Sequence, residues 1–488
     1  MNKPIRALAV ACGIMFLALL LNANFVQFVQ ADELNAKPGN RRVIDEEFSR
    51  ERGAIIVDGE PIVRSVPIDD KWQFQRKYTQ PELYAAVTGY FSYIYGREGI
   101  EQTYNSILSG SDDRLFVNRV IDLISNNQPQ GGSVELTLDP AAQKAAAEGM
   151  ADLGKKTRGA VVALNPKTGE ILAMVTQPTY DPNALASHDL TAVQSAMDKL
   201  SNDKNEPLLN RSTQTILPPG STFKTVTGAA AIAKLGLKPD DDVKGGASLS
   251  FPGIDYKLTN QGGSTCGGDP ISFERALEVS CNVSFGWLAG EVGQDSLAEQ
   301  AEAFGFGSRP MTDLPSASSQ FTSDPQADLE PPQLAQSGIG QYEVAASPLQ
   351  MAMVAGAVAN DGVLMKPHVV RTVRAPNLSI LDEPAPEQVG RAMNSADAAE
   401  LRSMMVAVVD DGTGRPAAIP GVKVGGKTGT AESSPDRPPY AWFIGFAPAN
   451  DPQVAVAVLV ESAQNTSDIA GGRLGGPIAR SVMEAVLR

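Results

Sequence analysis

Residues 454–460, Val-Ala-Val-Ala-Val-Leu-Val, are apolar at every position, and this run sets the first constraint on the fold. A strand with one wet face alternates polar and apolar residues, whereas an unbroken apolar run needs cover on both faces. Residues 421–431 and 441–447 read as strands beside it, and residues 159–164 and 170–175 form a hairpin through Asn165-Pro166-Lys167-Thr168-Gly169 far earlier in the chain. The stretch between is mostly helical. Residues 348–359, for example, are opened by Ser347 and closed by Asn360-Asp361-Gly362, and a last helix is expected over residues 477–487. The simplest arrangement is one antiparallel sheet assembled from both ends of the domain and flanked by helices, with an all-helical part to one side. The fold class is α/β in the broad sense, α+β in the narrow one.

Two segments precede this domain. Lys3 and Arg6 stand before an apolar run over residues 7–29. About 20 such residues cross a bilayer, and basic residues hold their end in the cytoplasm. The competing reading is a cleaved signal peptide, but no clear small-x-small cleavage site comes before Asp32, which favours an uncleaved transmembrane anchor with residues 1–6 as a cytoplasmic tail. Residues 30–154 read as a small α+β domain without a catalytic constellation. Residues 52–59 and 61–66 form a hairpin turned at Asp58-Gly59, and a helix opened by Asp139-Pro140 runs to Gly154, where the boundary is placed. Residues 155–488 form the second domain. An extracytoplasmic position favours a disulfide between Cys266 and Cys281, worth about 3 kcal/mol for a loop of that size. Cys12 lies in the anchor.

A net charge of −15 with no basic run argues against a nucleic-acid partner. The two histidines, His188 and His368, leave little for a Ser-His-Asp triad or a histidine-rich metal site. Neither a metal nor a cofactor is expected.

The chemistry points to Leu217-Pro218-Pro219-Gly220-Ser221-Thr222-Phe223-Lys224, followed by an alanine-rich helix that stops at Gly236. Residues three apart share a helix face, so Ser221 and Lys224 sit side by side over the positive end of the helix dipole. A neutral lysine amine there can take the serine proton. Alone, Ser-x-x-Lys means little, since Ser201-Asn202-Asp203-Lys204 repeats it in a polar segment. Two later stretches add weight: Ser280-Cys281-Asn282, and Lys427-Thr428-Gly429-Thr430 on a strand. These also have decoys, Ser125-Asn126-Asn127 and Lys167-Thr168-Gly169, which lack the joint order and setting.

Helix-start Ser-x-x-Lys, then Ser-x-Asn, then Lys-Thr-Gly-Thr on a strand resembles the class B penicillin-binding proteins, most of all their short actinobacterial members. Arg52-Gly53-Ala54-Ile55, Gly99-Ile100-Glu101, Pro207-Leu208-Leu209-Asn210-Arg211, Gly338-Ile339-Gly340-Gln341 and Ser347-Pro348-Leu349-Gln350 extend the resemblance over nearly the whole chain. Tyr342 departs from it, since many relatives carry glycine there. The resemblance implies a penicillin-binding, β-lactamase-like transpeptidase domain behind a dimerisation or pedestal-like domain, acting on peptidoglycan stem peptides and acylated by β-lactams. Ser221 would be the nucleophile, Lys224 its base and Ser280 a proton relay. Asn282, Lys427, Thr428, Gly429 and Thr430 would bind substrate, and the backbone N–H groups of Ser221 and Thr430 would form the oxyanion hole. A SEDS-family glycosyltransferase in the membrane is the implied partner. The rival readings are a hydrolase on the same fold and a non-enzymatic β-lactam sensor or scaffold. A β-lactamase would need a glutamate after Ser-x-Asn, whereas Glu206-Pro207-Leu208-Leu209-Asn210 lies before Ser221 and residues 303–329 contain none.

Overall fold

The apolar run near the C-terminus becomes the middle strand of a five-stranded antiparallel sheet. The computed structural model describes residues 3–30, 41–116, 130–154, 156–432, 438–464 and 469–488. In chain order the strands of this sheet are β1 (Arg158–Leu164), β2 (Ile171–Gln177), β3 (Gly425–Ala431), β4 (Tyr440–Ala447) and β5 (Val454–Ser462), arranged β3-β4-β5-β1-β2. The helices around them are α1 (Pro140–Asp152), α2 (Lys224–Leu235), α3 (Phe273–Glu278), α4 (Asn282–Val292), α5 (Pro348–Ala359), α6 (Ser395–Asp410) and α7 (Gly471–Val486).

Successive strand residues point to opposite faces, so the unbroken run in β5 divides between two cores. Val454, Val456, Val458 and Val460 pack with Ala146 and Met150 of α1 and with Ile478 and Val482 of α7. Ala455, Ala457 and Leu459 belong to the larger core on the other face, with α5 and the helical part built around α2 and α4.

The structure moves the start of the last helix. The last helix begins at Gly471, not at residue 477, and carries Pro477 inside it. The glycine-rich residues 471–476 read as loop by propensity, but they let the helix lie close on the sheet. A Cβ at Gly471 would fall 2.0 Å from the Trp442 carbonyl oxygen, and one at Gly475 2.8 Å from the Phe443 Cβ. The helix α1 precedes the boundary set at residue 154 but packs on the C-terminal sheet beside α7.

The front part forms a six-stranded sheet in the order Ile380–Asp382, Val370–Arg374, Ser133–Leu136, Ile55–Val57, Glu60–Pro67, Phe74–Tyr78. Two of its strands therefore come from far down the chain, and the two parts are joined by backbone pairing as well as by the linker. The Asp58-Gly59 hairpin forms as the sequence implies, with φ of 50° and 76° at the two turn residues. Beneath it Glu101 is fully buried between Arg52, 2.6 Å away, and Arg76, 2.7 Å away. That accounts for the Arg52-Gly53-Ala54-Ile55 and Gly99-Ile100-Glu101 stretches as structural ones.

At the N-terminus the helix Lys3–Asn24 continues as a π-turn over Phe25–Val29. Over Lys3–Gln27 it is long and apolar enough to cross a membrane, with none of its most apolar window buried against the rest of the chain.

Candidate active site

Ser221 lies on a single 3-10 turn, Gly220–Phe223, which leads directly into α2 at Lys224. The sequence placed it at a helix start, and that start takes the form of a tight 3-10 turn. Gly220 makes the turn possible. Its φ is 53°, its N–H donates to the Gly340 carbonyl at 2.9 Å, and an added Cβ would lie 3.0 Å from the Thr430 carbonyl oxygen. The serine turn is thereby packed against β3, the edge strand that carries Lys427, Thr428, Gly429 and Thr430. Gly429 serves the same approach, since a Cβ there would come 2.8 Å from the Pro219 carbonyl oxygen and 3.0 Å from Thr222 Cγ2.

The two lysines are fully buried and meet at Ser280. Lys224 Nζ donates to the Ser280 carbonyl at 2.8 Å, to Asn282 Oδ1 at 2.7 Å and to Ser280 Oγ at 3.3 Å. Lys427 Nζ donates to Ser280 Oγ at 2.8 Å and to the Thr428 carbonyl at 3.0 Å. No carboxylate is among these contacts, so burial disfavours both ammonium ions. Burial, reinforced by the neighbouring Lys427 cation, holds Lys224 well below the ordinary lysine range. Burial alone lowers Lys427 to about 7. This lowering favours the neutral, proton-accepting form of the Lys224 amine, one helical turn from Ser221.

Ser280 occupies a strained position, φ 61°, between α3 and α4. Three features hold it there. The Cys281 N–H donates to the Ala276 carbonyl at 2.8 Å, and Cys281 is joined to Cys266 in the disulfide the sequence suggested. The third is Asn260, which sequence reasoning missed. Its Oδ1 accepts the N–H groups of Asn282 (2.9 Å) and Val283 (3.0 Å), capping α4 from a distant hairpin. Its Nδ2 donates to the carbonyls of Gly246 and Ser264, each at 2.8 Å. A lone asparagine after a strand carries no signal of this role. Next to it, the Thr259 carbonyl accepts from Asn282 Nδ2 at 3.0 Å, leaving one amide N–H and one lone pair of that side chain for a substrate.

Ser221, Ser280, Asn282, Thr428 and Thr430 line one open cleft of about 850 Å³. Thr413, also missed from the sequence, lines it too, with its Oγ1 2.7 Å from Thr428 Oγ1. Its only sequence signal was the turn Asp411-Gly412-Thr413-Gly414. Glu432, just beyond β3, brings a carboxylate to the rim. The decoys stay outside this cleft: Ser201 ends a surface helix, Lys167 pairs with Asp451 in the first hairpin turn, and Ser125-Asn126-Asn127 lies outside the described residues. Glu206 sits elsewhere, in an ion-pair network with Arg158 and Arg211. Tyr342 is exposed at φ 61°, a backbone conformation that glycine adopts without strain.

The comparisons with known proteins agree with this geometry. Residues 159–484 match the penicillin binding protein transpeptidase domain, and residues 52–134 the penicillin binding protein A dimerisation domain. The chain is 42% identical to the peptidoglycan D,D-transpeptidase PbpA of Mycolicibacterium smegmatis and 40% identical to that of Mycobacterium tuberculosis H37Rv, in each case over 100% of this chain and 99% of the relative. Penicillin-binding protein A from M. tuberculosis, as its penicillin G acyl-enzyme complex, superposes with a TM-score of 0.84 over 90% of this chain and 100% of that one at 40% identity. The imipenem acyl-enzyme complex of the same protein gives 0.85 over 91% and 100%. A matched domain spanning most of the sequence, and relatives aligned from end to end, establish that this chain belongs to the penicillin-binding protein transpeptidase family.

Proposed function

We infer that the chain is a serine-type peptidoglycan D,D-transpeptidase that forms an acyl-enzyme at Ser221. The observation that carries this reading is the pair of buried lysines meeting at Ser280 beside the serine turn, with no carboxylate against them among the described residues. Ser221 Oγ attacks the carbonyl between the two D-alanines of a stem peptide while Lys224 takes its proton. The oxyanion forms against the N–H groups of Ser221 and Thr430. Ser280, held between both amines, passes a proton to the departing D-alanine nitrogen, and the C–N bond breaks. An amine of a neighbouring stem then attacks the ester, forming the cross-link and returning the serine proton. Asn282 holds the substrate amide, and Lys427 with the Thr428 and Thr430 hydroxyls receives the terminal carboxylate. A β-lactam follows the first half of this path and remains on Ser221.

The N-terminal apolar helix supports a single-pass anchor in the plasma membrane with the catalytic part outside, in keeping with the Cys266–Cys281 disulfide. The front part serves as a pedestal or dimerisation domain, and a SEDS-family glycosyltransferase supplies the glycan. The test is Ser221→Ala. Labelling by a fluorescent penicillin should vanish, and the parent protein with stem peptide and acceptor amine should yield cross-linked dimers. Trimmed monomers as the sole product would favour the hydrolase.

A further inference from the structure

The Thr428 hydroxyl is already engaged within the cleft. Its Oγ1 lies 2.7 Å from that of Thr413, in the turn after α6. The turn is wedged in place. The Thr413 N–H donates to the Glu278 carbonyl at 3.3 Å. A Cβ on Gly412 would come 2.6 Å from the Glu278 carbonyl oxygen, and one on Gly472 2.4 Å from the Thr413 carbonyl oxygen. The Thr413 hydroxyl is therefore set by the end of α3 and the start of α7.

A hydroxyl carries one proton. Within this pair one oxygen donates and the other accepts, so Thr428 keeps its proton for a ligand only when Thr413 is the donor. We propose that Thr413 is a positioning residue for carboxylate recognition: by donating to Thr428 Oγ1 it turns the Thr428 proton toward the bound carboxylate. Accepting that bond also polarises the Thr428 hydroxyl and strengthens it as a donor. In the empty cleft the pair is free to reverse, so the arrangement favours a charged terminus over a neutral one. The inference rests on the carboxylate reading of the cleft given above.

The experiment compares second-order acylation constants of the full-length protein in detergent with penicillin G and with its methyl ester. The parent should prefer the carboxylate. Thr413→Val should lower the penicillin G constant about fivefold, the size expected for one oriented hydrogen bond, and leave the ester constant within about twofold. Thr413→Ser should restore the preference, and Thr413→Val should cost little further in a Thr428→Val background. The ratio of the two constants is independent of the fraction of active protein, so partial misfolding does not mask the result. An equal loss for both ligands, or an unchanged ratio in Thr413→Val, overturns the role of Thr413. A parent without any preference for the carboxylate overturns the reading of the subsite itself.

Discussion

Lys427 Nζ donates to Ser280 Oγ at 2.8 Å, and that contact connects the edge strand of the sheet to the helical part of the molecule. Lys224 reaches the same oxygen at 3.3 Å. Two buried amines thus share one hydroxyl, and the protonation of each weighs on the other.

The acylation rate should fall on the acid side as Lys224 gains its proton. The group is held well below its usual range, so this acid limb lies at lower pH than an ordinary lysine would place it. Lys427→Met removes the neighbouring cation; the Lys224 affinity for a proton then rises and the acid limb moves to higher pH. The remaining rate should be lower by about a hundredfold if the Ser280 relay depends on this contact. Stopped-flow labelling by penicillin across pH 4–9 measures both, and an unmoved limb refutes the coupling.

The same substitution should stabilise the fold. A lysine whose folded-state value is lowered to about 7 is protonated more readily in the unfolded chain between that value and its ordinary one. Its cost to stability is complete below about pH 7 and is relieved as pH rises toward 10. Lys427→Met should raise Tm at pH 7 by about 3 °C or more, and the gain should shrink at pH 10. Calorimetry at the two pH values decides it.

Asn260→Ala should uncap α4 and release Ser280 and Asn282 together. The expected cost is about 1–2 kcal/mol of stability and at least a tenfold loss in acylation. Denaturant unfolding with labelling kinetics on the same preparation checks both; lost stability with intact acylation would confine Asn260 to the fold.

Gly220→Ala puts a methyl group 3.0 Å from the Thr430 carbonyl oxygen at a positive φ. Ser221 should move off β3, lowering acylation by about tenfold or more for a stability loss of about 1–2 kcal/mol. Full acylation in this variant would show that the contact between serine turn and strand is dispensable.

Glu432 tests the hydrolase alternative, because it carries the carboxylate at the rim of the cleft. The penicillin acyl-enzyme should persist for many minutes, and Glu432→Gln should leave its lifetime unchanged. Release within seconds that slows on this substitution would assign Glu432 to water activation and favour hydrolysis. Intact-mass measurements over time give the answer directly.

Much of the local structure was legible in the chain. The unbroken apolar run of β5, the Asp58-Gly59 turn, the Asp139 and Ser347 caps and the stop of α2 at Gly236 depend on groups a few residues apart, and all are present. The three motifs were recognisable from their order and surroundings. Other features escaped because they involve partners distant in the chain. The glycines of residues 471–476 form helix only because the sheet leaves no room for side chains. The strand Val370–Arg374 joins the front sheet through register with Ser133–Leu136, and Asn260 caps a helix that does not contain it.

By itself, then, the sequence determined those strands, turns and helix ends that depend on neighbouring residues, because helix caps, turns and face periodicity act over one or two turns of chain. Only the tertiary structure decided that Lys224 and Lys427 lose water without gaining a carboxylate among the described residues, and that Thr413 meets Thr428. Burial and hydroxyl pairing of that kind are products of packing between α2, α4, α6 and the edge of the sheet, and no short stretch of residues contains them.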